Sequence, residues 1–223
     1  LAKTVMDKLS LRFPQLIEPY RMAVSCAAIL HDIGHLAPGS HTAYKAWFPG
    51  QEDKHESLAA EIVRSDDELG SVFGRHCSQT AELPRQISQI LWEDRALPPW
   101  TWEILSGGGW NVDRGNWCIV DSVMAGVTYG KYNIPALTDS LSLTSDGHLA
   151  LMENRLDAMT HFLISRHAMY RQMYQHRVLL AADMLNKAVV QRARDLRSSG
   201  SKLFYCDDVM QQALDARSPQ DLS

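Results

Sequence analysis

His31, Asp32 and His35 fall within five consecutive positions, at the end of an apolar run over residues 22–30. A neutral imidazole and a carboxylate are both good ligands for a divalent metal. Side by side at the end of a buried helix, they can grip one ion from adjacent positions. The segment reads Cys26-Ala-Ala-Ile-Leu-His31-Asp32-Ile-Gly34-His35. A bare His-Asp pair arises often by chance. An apolar helix running into His-Asp-x-Gly-His is much more specific. The plainer alternative is a hydrogen-bonded His-Asp pair at a helix end.

Two later segments could complete such a site. Asn111-Val-Asp113-Arg114-Gly-Asn-Trp117-Cys-Ile-Val-Asp121 spaces Asp113, Trp117 and Asp121 four residues apart. At about 100° per residue, these three stay on one helix face. Two carboxylates, an indole and a neighbouring arginine make poor core material. They suit a metal ligand beside a phosphorylated, polyhydroxylated molecule. The alternative is a solvated face with Asp113 held by a helix N-terminus. Arg166, Tyr170 and Tyr174 repeat the spacing, and Arg171 and Arg177 add positive charge nearby. A guanidinium binds phosphate oxygens in bidentate fashion, and a tyrosine can stack on a base or pack on a sugar. A basic face on an ordinary amphipathic helix is the other reading.

Such residues need helices to hold them. Val5, Met6 and Leu9 recur at helical spacing, so residues 1–10 read as a helix entered in its middle. A segment upstream of Leu1 is expected. After Phe13-Pro14, residues 16–30 form the next helix, and Gly34 suits its C-terminus. Residues 35–41 form a loop, and a connection runs through Trp47-Phe48-Pro49-Gly50. Lys54-His55-Glu56 opens a helix with Leu58, Ala59, Ile62 and Val63 on one face. Asp66-Asp67-Glu68 reads as a solvated patch. Pro84 fits the first turn of a helix running to about Glu93. Trp100 and Trp102 lie between Pro98-Pro99 and Gly107-Gly108-Gly109, in either a mobile loop over a pocket or a rigid loop anchored by its indoles. Residues 112–123 are helical. Period-two alternation around Asp146-Gly147 predicts a β-hairpin near 141–151. Residues 153–197 lack Pro and Gly and form one long helix or two with a kink. Leu203 to Asp208 leads into a short final helix. The reading is an all-α, mostly helical single domain over 1–223 with that one small hairpin. Within it, 1–125 would hold the metal and 126–223 would add the hairpin and the long substrate-binding helix.

Composition narrows the class. The chain has 223 residues, 45% hydrophobic and 22% charged, enough to bury a substantial core. A net charge of -4 argues against a protein built to coat nucleic acid, while leaving room for a local basic pocket. Cys26, Cys77, Cys118 and Cys206 show no paired spacing, as in reduced cytoplasmic proteins. No apolar run approaches the ~20 residues that cross a bilayer, and no signal peptide is visible, so no membrane partner is expected.

In order and spacing, the three segments resemble the HD-domain metal-dependent phosphohydrolases, and within them the dNTP triphosphohydrolase (dGTPase-like) branch. The resemblance runs from about Leu1 to Asp208. It implies a helical HD bundle and one divalent ion (Mn, Mg, Fe, Co, Ni or Zn), with His31, Asp32 and Asp113 as three of four metal ligands. It implies that His35 and His55 act near the scissile phosphate, and that His41 belongs with the substrate site. Arg114 and Arg166 would contact phosphate, Trp117 and Asp121 the sugar, and Tyr174, Gln175 and His176 the sugar and base; Tyr170 joins them by spacing. Hydrolysis of a dNTP to deoxynucleoside and tripolyphosphate follows, in a cytoplasmic homo-oligomer. Three departures stand out. No histidine precedes His31, where the family places its first ligand, so that ligand is expected upstream of Leu1. Tyr44 stands where the family has an acidic residue, and Glu52 or Asp53 could substitute in space. Trp117 replaces a tyrosine. The nearest rival in the fold is a nucleoside 5′-monophosphatase. A cyclic-dinucleotide phosphodiesterase fits worse, since that branch has a lysine at His35 and a further GYP motif. The rival of another class is a non-catalytic nucleotide-sensing module, and a nucleic-acid enzyme is disfavoured by the net acidity.

Overall fold

The computed structural model describes residues 1–36, 41–48, 50–76, 82–201, 208–218 and 221, with backbone alone at 41–43, 209 and 210. Helices α1 (Ala2–Ser10), α2 (Pro14–Ile17), α3 (Arg21–Leu30), α4 (His41–Trp47), α5 (His55–Ser65), α6 (Asp67–His76), α7 (Glu82–Leu91), α8 (Trp100–Glu103) and α9 (Val112–Met124) come first. Helix α10 (Ile134–Asp139) then leads into strands β1 (Leu141–Leu143) and β2 (Leu149–Leu151). Helices α11 (Leu156–Met169), α12 (Arg177–Ser198) and α13 (Asp208–Asp215) complete the chain. The fold is mostly helical, with one antiparallel hairpin in which Leu141 faces Leu151 and Leu143 faces Leu149. Gly147 takes φ +83° in its turn, where a residue without Cβ is favoured.

Two differences from the sequence reading have local causes. The helix expected over 16–30 is broken: a 3₁₀ turn, Glu18–Tyr20, separates α2 from α3. Pro19 has no N–H to donate and its ring crowds the preceding turn. The Asp66–Glu68 patch is solvated as read, and Asp66 also caps α6, its Oδ1 accepting the Leu69 N–H at 2.8 Å. The loop-and-connection reading of 35–50 missed α4, whose Tyr44, Trp47 and Phe48 bury themselves against Leu214 and Ala216. The Trp100 segment takes its anchored form. Trp100 is fully buried, and its backbone N–H donates to Gly147 O at 3.0 Å.

The long stretch after 153 does kink. The Gln175 N–H bonds back five residues to Tyr170 O at 2.9 Å, and residues Tyr170–Tyr174 form one π-helical turn between α11 and α12. The main core runs from Val5 on α1 to Met169 on α11 and gathers α3, α5, α7 and α9 between them. Cys118 is buried in it. Cys77, Cys206 and the 203–207 segment lie outside the described residues. No helix among the described residues is long and apolar enough to cross a membrane.

One contact positions the site more than any other. After α3, residues His31–Gly34 make a 3₁₀ turn that packs on the start of α5. A Cβ added to Gly34 would sit 2.0 Å from His55 O and 2.7 Å from Ala59 N. Gly34 ends the helical turn, as its position suggested, and also serves a close backbone approach. Gly34→Ala should lower the unfolding free energy by at least about 2 kcal/mol. Gly74→Ala, with nothing within 4 Å of its added Cβ, should leave stability unchanged or raise it by up to about 1 kcal/mol. Urea unfolding of both variants checks the contrast, and equal stability of the two would contradict it.

Candidate metal and phosphate site

The 3₁₀ turn sets His31 and Asp32 side by side, facing the first turn of α9. His31 Nδ1 donates to Ala28 O at 3.2 Å, which leaves Nε2 with the free lone pair. Nε2 lies 3.2 Å from Asp32 Oδ1 and 3.4 Å from Asp113 Oδ1. It is buried and makes no aligned hydrogen bond. Burial alone would hold the His31 pKa down, but the Asp113 and Asp32 carboxylates outweigh it and raise it. Asp113 owes its place to Asn111, an almost fully buried cap whose Oδ1 accepts the Arg114 N–H at 2.8 Å. The positive end of α9 favours a carboxylate there.

These three groups fit a divalent ion. Ligands about 2.0–2.2 Å from one metal lie roughly 3 Å from each other; His31 Nε2 is 3.2 and 3.4 Å from the two carboxylate oxygens, and all three ligand atoms lie within 4.8 Å of one another. One imidazole nitrogen and two carboxylate oxygens suit Mn, Fe, Co, Ni or Zn and leave further positions for water or phosphate. A second set, Asp32, His35 and His55, also brings donor atoms within 4.8 Å of one another.

His35 and His55 stack, with ring centroids 3.8 Å apart and planes 16° apart. His35 Nε2 lies 3.4 Å from Asp32 Oδ1. That contact lowers the Asp32 pKa and raises that of His35. His55 lies between two carboxylates, with Asp53 Oδ1 at 2.9 Å from Nδ1 and Glu56 Oε1 at 3.3 Å from Nε2. Tyr44 is 2% exposed in the hydrophobic cluster of α4.

A cleft of about 360 Å³ joins these groups to two arginines. Arg114 donates to Gly108 O. Arg166 lies over Tyr170 at 4.8 Å and near the Trp117 ring at 5.9 Å, two cation–π contacts that leave its buried Nε without a hydrogen bond. Trp117, Tyr170 and Tyr174 pack edge to face.

The cleft thus gathers His31, Asp32, His35, His55, Asp113, Arg114, Trp117, Arg166 and Tyr170 from the sequence reading. Asp121 lies instead on a neighbouring cleft of about 520 Å³, which shares His31, Asp32, Asp113 and Trp117. The Tyr174 hydroxyl donates to Asp121, and burial followed by that carboxylate pushes the Tyr174 pKa up. Gln175 and His176 are exposed after the π turn. His176 Nδ1 accepts the Val178 N–H at 3.3 Å and caps α12, so it lines neither cleft. The His41 side chain lies outside the described residues. Glu56, Asn111 and Ser106 line the main cleft and were missed. Glu56 follows His55 in the open first turn of α5, which was the available signal.

Comparison with known proteins finds distant relatives. The uncharacterized protein YwfO of Bacillus subtilis (strain 168) is 22% identical over 203 residues, covering 90% of this chain and 44% of that protein. The uncharacterized protein MJ1154 of Methanocaldococcus jannaschii is 26% identical over 187 residues, covering 82% of this chain and 37% of that protein. The chain therefore spans less than half the length of these relatives. No protein-family model matches it. Among solved structures, a phosphohydrolase from Bacteroides thetaiotaomicron is 22% identical with a TM-score of 0.74, over 97% of this chain and 50% of that one. A hypothetical protein from Aquifex aeolicus is 25% identical with a TM-score of 0.65, over 85% and 49%. The fold is shared with both.

The His35–Asp32 pair makes metal-free stability depend on pH. His35 is raised, so its contribution is complete below the unfolded imidazole value and is lost as pH rises through the raised one. Asp32 is lowered, so its contribution is complete above the unfolded carboxyl value and is lost as pH falls through the lowered one. The two overlap between about pH 4 and 6.5. In the presence of chelator, the Tm deficit of Asp32→Asn should be largest in that window and shrink by about pH 8. A deficit that grows toward alkaline pH would contradict the pairing.

Proposed function

We propose that this chain is a metal-dependent phosphohydrolase domain acting on nucleoside triphosphates, with a dNTP split into deoxynucleoside and tripolyphosphate. The observation that carries the reading is His31 Nε2. It is a buried nitrogen with no aligned hydrogen bond, set 3.2 and 3.4 Å from two carboxylate oxygens in a cleft that Arg114 and Arg166 also line. A cation held by His31, Asp32 and Asp113 would polarise a phosphate oxygen or lower the pKa of a bound water. Likeness to a solved phosphohydrolase supports the same chemistry.

The chain's own residues supply the rest. Arg114 and Arg166 clamp the phosphates, and their charge matters most at the crowded transition state. Trp117 and Tyr170 hold Arg166 in place and offer aromatic faces to the nucleoside. Asp121 and Tyr174 form a polar pair beyond Trp117, within reach of a sugar hydroxyl. His55, with His35 stacked on it, gives a proton to the leaving oxygen. Two arginines favour a triphosphate over a monophosphate. The expected homo-oligomer has a face to use: α12 packs Val190 and Ala193 against the α4 cluster but leaves Met184, Leu185 and Val189 64–67% exposed.

Incubating the protein with dNTPs and Mn²⁺, Mg²⁺ or Co²⁺, then identifying the products, tests the reading. Tripolyphosphate supports it. Single phosphate from nucleoside monophosphates alone would favour a monophosphatase. Nucleotide binding without metal or turnover would favour a sensor. Asp32→Ala should lose both bound metal and hydrolysis; retained turnover in that variant would sink the site. Arg166→Lys should keep bound metal yet lower kcat/KM by about 10- to 100-fold, the worth of one charge-assisted contact.

A further inference from the structure

His55 is held on three sides. Its ring lies flat on His35, with 3.8 Å between centroids. Asp53 Oδ1 sits 2.9 Å from its Nδ1. The same oxygen accepts the backbone N–H of His55 at 3.2 Å. The two contacts lock Asp53 and His55 together across Lys54, immediately before α5 begins. Both side chains are largely shielded, at 19% and 12% exposed. A carboxylate only accepts hydrogen bonds, and Asp53 at 2.9 Å is nearer its ring nitrogen than Glu56 at 3.3 Å, so in the neutral ring Nδ1 carries the hydrogen and Nε2 gains one only in the imidazolium. Nε2 is then the nitrogen turned to Glu56 and the cleft. The direction is local in origin, since the carboxylate of a residue two positions earlier holds both the ring and the backbone N–H of His55.

We infer that Asp53 is a positioning residue for His55, which fixes the Nδ1–H tautomer so that Nε2 exchanges protons in the cleft. The inference rests on the phosphohydrolase reading for its kinetic consequences, but not for its tautomer. In the proton-donating step the imidazolium gives its Nε2 proton to the leaving oxygen. It remains a neutral Nδ1–H ring, still bonded to Asp53. Tyr44 cannot serve this purpose, because it is packed into the hydrophobic cluster with Trp47 and Phe48. The carboxylate arrives instead from the loop before α5. Outer carboxylates of this kind orient catalytic and ligating imidazoles generally, and their loss typically costs about 10- to 100-fold in activity.

Long-range ¹H–¹⁵N NMR of the metal-free protein, at alkaline pH where imidazole is neutral, reads the tautomer directly. Wild type should show His55 protonated at Nδ1 alone. Asp53→Ala should shift it to Nε2–H or to a mixture. Kinetics on the metal-loaded protein give the second readout. Asp53→Ala and the near-isosteric Asp53→Asn should lower kcat about 10- to 100-fold, with KM and bound metal per chain within about twofold of wild type. Asp53→Glu should recover part of the loss. An Nε2–H tautomer in wild type, or unchanged kcat in a folded Asp53→Asn, would overturn the inference. If wild type turns over no nucleotide, the functional reading fails, while the NMR result still decides what Asp53 does.

Discussion

A missing side chain holds this site together. The backbone of the 31–34 turn reaches the backbone of α5 at Gly34, closer than any Cβ would allow. That contact carries the end of α3 against the start of α5. His35 and His55 then stack, and Asp32 lies beside them. The same turn aims His31 at the first turn of α9, where Asn111 holds Asp113. Three helix ends therefore meet at one place. A close-packed interior makes such a junction stiff, because a shift of one helix must be absorbed by the others.

The junction is electrostatically unbalanced by itself. Asp32, Asp113, Asp53 and Glu56 crowd around three imidazoles, whose charge depends on pH. Like charges packed this tightly lower stability unless a cation joins them. The imidazoles offset part of the repulsion in the metal-free protein, as the paired shifts of Asp32 and His35 show. A divalent ion would complete the balance. Arg114 and Arg166 line the same cleft. Arg166 is held by aromatic faces, with a buried Nε still unpaired. The cleft thus holds both a cluster of carboxylates and imidazoles and two guanidinium groups.

Much of this was legible in the sequence. Adjacent ligands at the end of an apolar run, and a carboxylate in the first turn of a later helix, are local patterns that tertiary packing brings together. Arg166 and Tyr170 were legible from their spacing, as was the hairpin from its Asp-Gly turn. Other features were hidden. Pro19 broke a helix that hydrophobic periodicity continued through. The capping role of Asp66 looked like surface charge. The π turn at Tyr170–Tyr174 gave no sequence signal, yet it sends Gln175 to solvent and makes His176 a helix cap. The cause of the Gly34 requirement was also hidden, since a close approach to His55 and Ala59 exists only in three dimensions.

Diffraction from crystals grown with Mn²⁺, recorded at a wavelength where manganese scatters anomalously, tests the central claim most directly. The account predicts one strong anomalous peak about 2.0–2.3 Å from His31 Nε2 and from a carboxylate oxygen of each of Asp32 and Asp113. A peak centred instead on His35 and His55, or none in the cleft, would contradict it.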